Sequence, residues 1–398
     1  MHKIRAYGVT RPTLALLAAA ALFTHAELAA GAPPPPSSGT LVFSVPNAAN
    51  WGLASASGRI YAVGNSYASW GQVVLGSSNG GTSWSVLDEF VLPGRHVDFF
   101  GWADLGGGIT SDSAGILYVS GLSYPDELDN AEAQWYVRRS TDGGLSWTTV
   151  DNFVKAPPDA NADDIGLAAD PAGNVYTCGC DFYFNGSSYQ PLWTVRKGVG
   201  GTSFSTVDTL PNSRPTDVFV HPTADIFVSG ISKITVKNQS SDAWLVRRST
   251  DGGVTWSNVD VFQLAGSKSA VAMGIAANGS GIYVAGHSYL VSKGVTSDHW
   301  IVRKSTNGGN TWTTVDDYQL AAGYSSSACC IATDASGNVF VAGSGNAGQA
   351  NRWVVRKSVG GTGPWMTIDV FQNGGSATSP NAIGVDALGN VFVGGNGG

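Results

Sequence analysis

The stretch Trp135 to Phe153, WYVRRSTDGGLSWTTVDNF, recurs along this chain and limits what it can fold into. Close copies begin at Trp244 (WLVRRSTDGGVTWSNVDVF) and Trp300 (WIVRKSTNGGNTWTTVDDY). Weaker ones begin at Gln72, Trp193 and Trp353. The aromatic that closes each turn falls at Trp84, Trp147, Phe204, Trp256, Trp312 and Trp365, at spacings of 63, 57, 52, 56 and 53 residues. Self-similarity at such a period is the mark of a repeat architecture, which can hold 398 residues in one closed body.

Each unit carries a second signature ahead of the Trp-x-Val-Arg segment, such as GILYVSG at Gly115, GNVYTCG at Gly173 and GNVFVAG at Gly337. Before it lies a short apolar stretch rich in small residues (IGLAAD, MGIAAN, CCIATD). β-Branched and aromatic residues alternate between Gly, Asn, Asp and Pro, which predicts four short strands per unit. The fold expected is all-β: a single β-propeller of four-stranded antiparallel blades. Seven blades are expected, six full repeats plus one closed by both termini and lacking its third strand; six blades is the alternative count. Small residues suit the innermost strand, and Gly108, Gly166, Gly274, Cys330 and Ala382 fall at equivalent places along it.

The turn before the closing aromatic reads SxDxGxxW at Ser140-Asp142-Gly144-Trp147 and Ser249-Asp251-Gly253-Trp256. Asn replaces Asp in Ser77-Asn79-Gly81-Trp84 and Ser305-Asn307-Gly309-Trp312. This pattern resembles the Asp-box, or BNR repeat, of the sialidase-like superfamily, and the likeness spans the chain from about residue 40 to its end. The carboxylate or amide oxygen can accept backbone N–H groups within the turn, and Gly supplies the positive φ of the reversal. In the third and sixth units the turn is degraded to GVGGTSF and SVGGTGPW.

Repetition also sorts the charges. Arg138, Arg196, Arg247, Arg303 and Arg356 recur on the third strand, and Asp151, Asp208, Asp260, Asp316 and Asp369 on the fourth. Folding each hairpin about its turn sets Arg opposite the Asp of its own unit, which predicts a partly exposed pair worth ~0.2–1 kcal/mol. Leu75 stands at the arginine position of the first unit, so Asp88 is expected to lack a partner. A catalytic group is needed once, so residues repeated five times are structural.

Residues 1–30 read as a secretory signal peptide. Lys3, Arg5 and Arg11 precede an apolar run from Leu14 to Phe23 that is too short to span a bilayer. Cleavage is expected after Ala26, Ala30 or Ala32. Residues 31–39 (Pro33 to Gly39 is PPPPSSG) form a tether, and 40–398 the propeller. The expected location is secreted or periplasmic, with no lipid anchor and no transmembrane helix. The formal charge of −7 argues against nucleic acid and anionic membranes as partners. Cys178, Cys180, Cys329 and Cys330 are in poor positions for local disulfides. They are read as free thiols at small positions, with a long-range bridge between the two pairs as the alternative.

Function is expected on the face that carries the connections into the first strand and out of the second. Trp51, Trp70 and Trp102 lie outside the repeat positions, and Tyr67, His96, Phe99 and Phe100 share their loops. Such an aromatic group could stack on sugar rings; the competing reading is a loop that covers a seam between blades. Asp126, Glu127, Asp129 and Glu132, with Asp159, Asp163 and Asp164 in the next connection, could hold Ca²⁺ or do acid–base work, though a solvated acidic rim is the plainer reading. No metal or cofactor is expected otherwise. His287, Asp298 and His299 share one connection without a third metal ligand at recognisable spacing.

The superfamily resemblance implies a sialidase to test: three arginines clamping a carboxylate, a Tyr nucleophile assisted by Glu, and an Asp acid/base. Non-repeated arginines in face loops are Arg95, Arg214 and Arg352, and Tyr289 and Tyr324 stand at possible nucleophile positions. The Arg-Ile-Pro motif common in sialidases is absent, and beyond residue 30 the only glutamates are Glu89, Glu127 and Glu132. The expected function is a binding or interaction module for glycans or cell-surface proteins. An exo-sialidase-like glycoside hydrolase is the alternative, and a non-catalytic structural component of an envelope the second.

Overall fold

In a computed structural model, residues 19–25, 40–46, 48–66, 71–93, 95–96, 108–125, 134–153, 163–236, 239–292, 295–348, 350–372 and 377–396 are described. At 19–25, 40–46, 48–51, 95–96, 163–165 and a few strand ends this is backbone alone. Among them no α-helix occurs, and no helix is long and apolar enough to cross a membrane. The protein is a β-propeller of antiparallel four-stranded sheets. The first unit is Ala48–Ala56, Arg59–Ser66, Gly71–Ser77 and Ser85–Phe90, paired in chain order. The third (Asp163–Ala169 to Ser203–Pro211) and sixth (Ser326–Thr333 to Trp365–Phe371) repeat that order. The second adds the two-residue strand Arg95–His96 to the far end of Leu117–Pro125. The fourth and fifth are linked into one eight-stranded sheet by a parallel pairing at Asp242 and Ser269.

The two C-terminal strands, Ser379–Val385 and Val391–Asn396, share a sheet with Thr40–Pro46. Sequence reading left this sheet without a third strand. The structure lays Ala19–His25 there, paired to Thr40–Pro46 on one side and Val391–Asn396 on the other. An unfilled place between two strands would leave two rows of unpaired N–H and C=O groups, and this backbone meets them.

The apolar core lies between consecutive units. Tyr61 and Val63 of the first unit pack with Leu117, Val119 and Ile109 of the second, and Trp300 and Val302 of the fifth with Val339 and Val341 of the sixth. Phe392 of the closing sheet joins Ile60, Val73 and Leu75 of the first unit, which closes the ring. The third-strand indoles Trp135, Trp193, Trp244, Trp300 and Trp353 are wholly buried. Three of them lie against a glycine of the next unit's second strand. A Cβ added to Gly230, Gly286 or Gly343 would come within 2.6, 2.8 and 2.5 Å of Trp193, Trp244 and Trp300.

The ion pairs form across the seams, not within the hairpins. A bulge in the fourth strand sets Val137 opposite Asp151 and Arg138 opposite Thr149, and the same shift recurs in the other units. Opposed residues share a face and successive ones alternate, so the Arg and Asp of one unit point to opposite sides. Each Arg therefore meets the Asp of the preceding unit. Arg196 binds Asp151 through Nε and an amino nitrogen, both at 2.7 Å. Arg247–Asp208, Arg303–Asp260 and Arg356–Asp316 repeat this fork. Asp88, expected to be unpaired, is bound by Arg138, and Leu75 fills the apolar closing seam instead. Four of these guanidinium groups also lie over the aromatic that ends the preceding unit: Arg138 on Phe90, Arg196 on Phe153, Arg303 on Phe262 and Arg356 on Tyr318, at 3.7–4.1 Å.

The four SxDxGxxW-type turns share one geometry. In the second unit Asp142 Oδ1 accepts from Leu145 and Ser146 N–H at 3.0 and 2.9 Å, and Ser140 Oγ accepts from Gly144 N–H at 2.9 Å. Trp147 Nε1 donates to the Gly144 carbonyl at 3.0 Å. Asn79 and Asn307 accept from Ser83 and Thr311 N–H through the same oxygen at 2.9 Å. Gly144, at φ 92°, occupies the left-handed region.

Candidate functional site at the central channel

The innermost strand bulges at one equivalent place in every unit where it is fully described: at Asn50/Gly52, Asp164/Gly166, Pro215/Asp217, Ala272/Gly274, Ala328/Cys330 and Pro380/Ala382. A bulge sets two residues against one and breaks the strict alternation of faces. The result is a ring of positions around a channel cavity of about 420 Å³, lined by Gly52, Gly108, Gly166, Asp217, Gly274, Cys330 and Ala382 among others. The equivalence read from sequence places these residues together. It omitted one position that matters. Where the other units have Gly, Ala or Cys, the fourth has Asp217, in the segment DVFV.

Asp217 Oδ2 accepts from the Ile275 N–H of the neighbouring inner strand at 3.0 Å. Beside it Thr216 Oγ1 donates to the Ala272 carbonyl at 2.6 Å. Burial pushes the Asp217 carboxyl up to about 7, against the pull of its backbone donors. A carboxylic acid so placed can donate a proton as well as accept one near neutrality. The plainer role is a polar strap between two units. Nothing in the repeat requires it, because Gly274 and Gly166 do without a side chain at the same place.

His287 also lines the cavity, and among the described residues its Nδ1 has no hydrogen-bond partner. Burial lowers its pKa, while the charge of Asp298 acts the other way. Sequence reading put His287, Asp298 and His299 in one loop. They are strand residues of a long hairpin, Gly281–Ser292 and Val295–Ser305, in which His287 faces Trp300, and Asp298 faces Tyr289. His299 Nδ1 sits 2.7 Å from Asp317. Among the described residues no group of three His, Cys, Asp or Glu side chains is set to hold a metal.

The aromatic candidates Tyr67, Trp70, Phe99, Phe100 and Trp102 lie outside the described residues, as do Asp126, Glu127, Asp129, Glu132 and Asp159. Trp51 and His96 are placed by backbone only, on the strands Ala48–Ala56 and Arg95–His96, and Arg95 shares the latter. Arg214 is on the inner strand Ser213–Val220 with its guanidinium 5.3 Å from the Phe182 ring. Arg352 opens the strand Arg352–Ser358; Tyr289 and Tyr324 are 36% and 46% exposed. None of Arg214, Arg352, Tyr289 and Tyr324 is among the residues lining the cavity.

One aromatic group escaped sequence reading. The hairpin Val175–Phe184 and Tyr189–Val199 projects beyond its sheet and holds Phe184, 54% exposed, against Tyr189 with ring centroids 5.4 Å apart. The signal was present as DFYFNGSSY, an aromatic run broken by an Asn-Gly turn. None of the four cysteines is in a disulfide; Cys178 and Cys180 are buried and Cys329 and Cys330 half-buried, so no bridge joins the two pairs.

No protein-family model matches the chain, and no curated protein matches it in sequence. Solved structures share its fold. An ulvan lyase of a polysaccharide-lyase family aligns with TM-score 0.56 at 10% identity, over 86% of this chain and 88% of that one. An α-L-arabinofuranosidase from Fusarium graminearum (0.51, 13%) and an α-L-arabinanase from Penicillium chrysogenum (0.50, 16%) each cover 87% of this chain and 99% of their own. Identities this low establish the architecture and nothing finer.

Proposed function

We propose that this chain is an exported, seven-bladed Asp-box propeller that binds glycans through the face bearing its long second-to-third-strand hairpins. The observation that carries this reading is the Phe184–Tyr189 pair, Phe184 exposed and Tyr189 half-buried, with Phe182 two residues before Phe184 on the same strand and the Arg214 guanidinium over its ring. A hairpin fixed in a sheet offers flat apolar rings at little entropic cost, which suits the face of a sugar. The structural neighbours named above are polysaccharide-active proteins, which agrees with a glycan but selects none. Export with cleavage after Ala26, Ala30 or Ala32 would remove the strand Ala19–His25, leaving Ser379–Val385 paired with Val391–Asn396 and Thr40–Pro46 without the strand that joins it to them.

The test is calorimetric titration of the purified protein with arabinan, ulvan and sialylated oligosaccharides, alongside Phe184→Ala and Trp102→Ala. Loss of one stacking ring worth ~0.5–1.5 kcal/mol weakens binding roughly 2- to 13-fold. Absence of binding to any glycan at millimolar concentration, with the protein folded, sinks the reading.

Asp217 favours a second reading, a glycoside hydrolase in which this raised carboxyl is the general acid. Turnover of fluorogenic arabinofuranosides or sialosides, abolished in Asp217→Asn, would support it. Loss in Arg214→Ala instead would point to the arginine clamp of the sialidase type.

A further inference from the structure

Cys329 and Cys330 are adjacent in sequence, and on a regular strand their side chains would point to opposite faces. The bulge at Ala328/Cys330 removes that alternation. Both residues line the channel cavity, and their sulfur atoms stand 2.7 Å apart. The other bulges carry Thr216–Asp217, Met273–Gly274 and Asn381–Ala382 at the same place, so the paired thiols are a departure from the repeat and not a product of it.

We propose that Cys329 and Cys330 are a redox-active vicinal dithiol that closes to an intramolecular disulfide when a small-molecule or protein disulfide reaches the channel. The Cys329 sulfur attacks one sulfur of the oxidant, breaking its S–S bond and releasing the first thiol. The Cys330 sulfur then displaces the second thiol and forms the Cys329–Cys330 bond. The pair loses two protons and two electrons, and the oxidant's disulfide gains them. Burial, the neighbouring thiol and the charge of Asp217 hold Cys330 protonated, so the first attack falls to Cys329. Adjacent Cα atoms are ~3.8 Å apart, short of the usual disulfide span, so the bridge is strained and reopens in mild reductant.

The experiment treats the folded full chain with oxidised glutathione, blocks remaining thiols with an alkylating agent and digests with trypsin. The fragment from Ser305 to Arg352 contains no other cysteine. Its expected form is lighter by two hydrogens and unalkylated, returning to a doubly alkylated form after reduction. Closure in the folded chain should be at least ~10-fold faster than in urea, because the fold holds the sulfurs together. The Cys330→Ser chain should instead accumulate a glutathione mixed disulfide at Cys329. The proposal is overturned if the wild-type fragment stays doubly alkylated, if it stops at the mixed disulfide, or if the unfolded chain closes as fast as the folded one.

Discussion

At the seams, Arg196, Arg247, Arg303 and Arg356 each reach back to an aspartate of the preceding unit, with both side chains at most 11% exposed. On the channel wall, the equivalent bulge positions hold Gly52, Gly166, Asp217, Gly274, Cys330 and Ala382. Both regions come from one repeat. From the first unit to the sixth the seams keep their chemistry, because consecutive units grip each other with the same Arg and Asp, while the closing seam has Leu75 instead. The wall keeps only its geometry, since six bulges face a common cavity and each can carry a different side chain. Departures from the repeat are therefore the places to look for chemistry, and among the described residues Asp217 and the Cys329–Cys330 pair are two such departures on the wall.

The seam side of this comparison breaks most severely. Arg356→Ala leaves Asp316 buried without its partner, and removing one member of a buried pair costs about 3–5 kcal/mol. Burial already pushes the Asp316 carboxyl up, and Arg356 pulls it down; the forked hydrogen bonds are those of an ionised pair. Urea denaturation of the variant measures this directly. A loss below about 1 kcal/mol would mean the seams behave as exposed surface pairs. Replacing both partners by Met and Leu should cost much less than either single change.

Next in size is the glycine that receives a neighbouring indole. Gly286→Ala would drive a Cβ into the Val271 carbonyl and against Trp244. Overpacking of this kind costs about 1–3 kcal/mol, read as a lowered urea midpoint. Gly173→Ala is the contrast for backbone strain alone: its turn position, at φ 79°, has nothing within 4 Å of an added Cβ.

What the sequence disclosed follows from this division. The repeat, its four strands and the small inner strand were legible because six copies report the same constraint, and the turn geometry because four do. The partner of each arginine was not legible. It depends on one bulged residue per hairpin, such as Val150 between the Thr149 and Asp151 pairings, which shifts face parity without changing the pattern of residue types. Asp217 was hidden for a related reason: DVFV reads as an ordinary strand until the register shows that its first residue stands where the other units have almost no side chain.

On the wall, Asp217→Asn should stabilise the protein above neutrality. The folded carboxyl is raised to about 7 from 3.8. The native state thus holds its proton where the unfolded chain has lost it, and stability falls as pH rises from about 4 to about 7, then levels. The full shift corresponds to about 4 kcal/mol, which water in the channel reduces to on the order of 1–2. Thermal melts from pH 4 to 8 should show this slope in the wild type and its loss in Asp217→Asn, whose amide oxygen can still accept from Ile275. An equal slope in both proteins would place the titration elsewhere.

The smallest effect is expected at an exposed turn, and it has the opposite sign. The Ser146 hydroxyl and N–H hold the Asp142 carboxylate at about 2, with Ser140 adding a further hydrogen bond. A lowered acid contributes stability above its unfolded value near 3.8 and loses it as pH falls toward 2. Asn79 and Asn307 already occupy this position in two other units with the same Oδ1 acceptor. Asp142→Asn should therefore be nearly silent at pH 7, slightly below the wild type for want of the charge-assisted bond from Ser146. That small deficit should vanish as the wild type is acidified from pH 4 to 2. Paired melts over this range decide it: a deficit that persists at pH 2 would mean that the turn depends on the shape of the side chain and not on its charge.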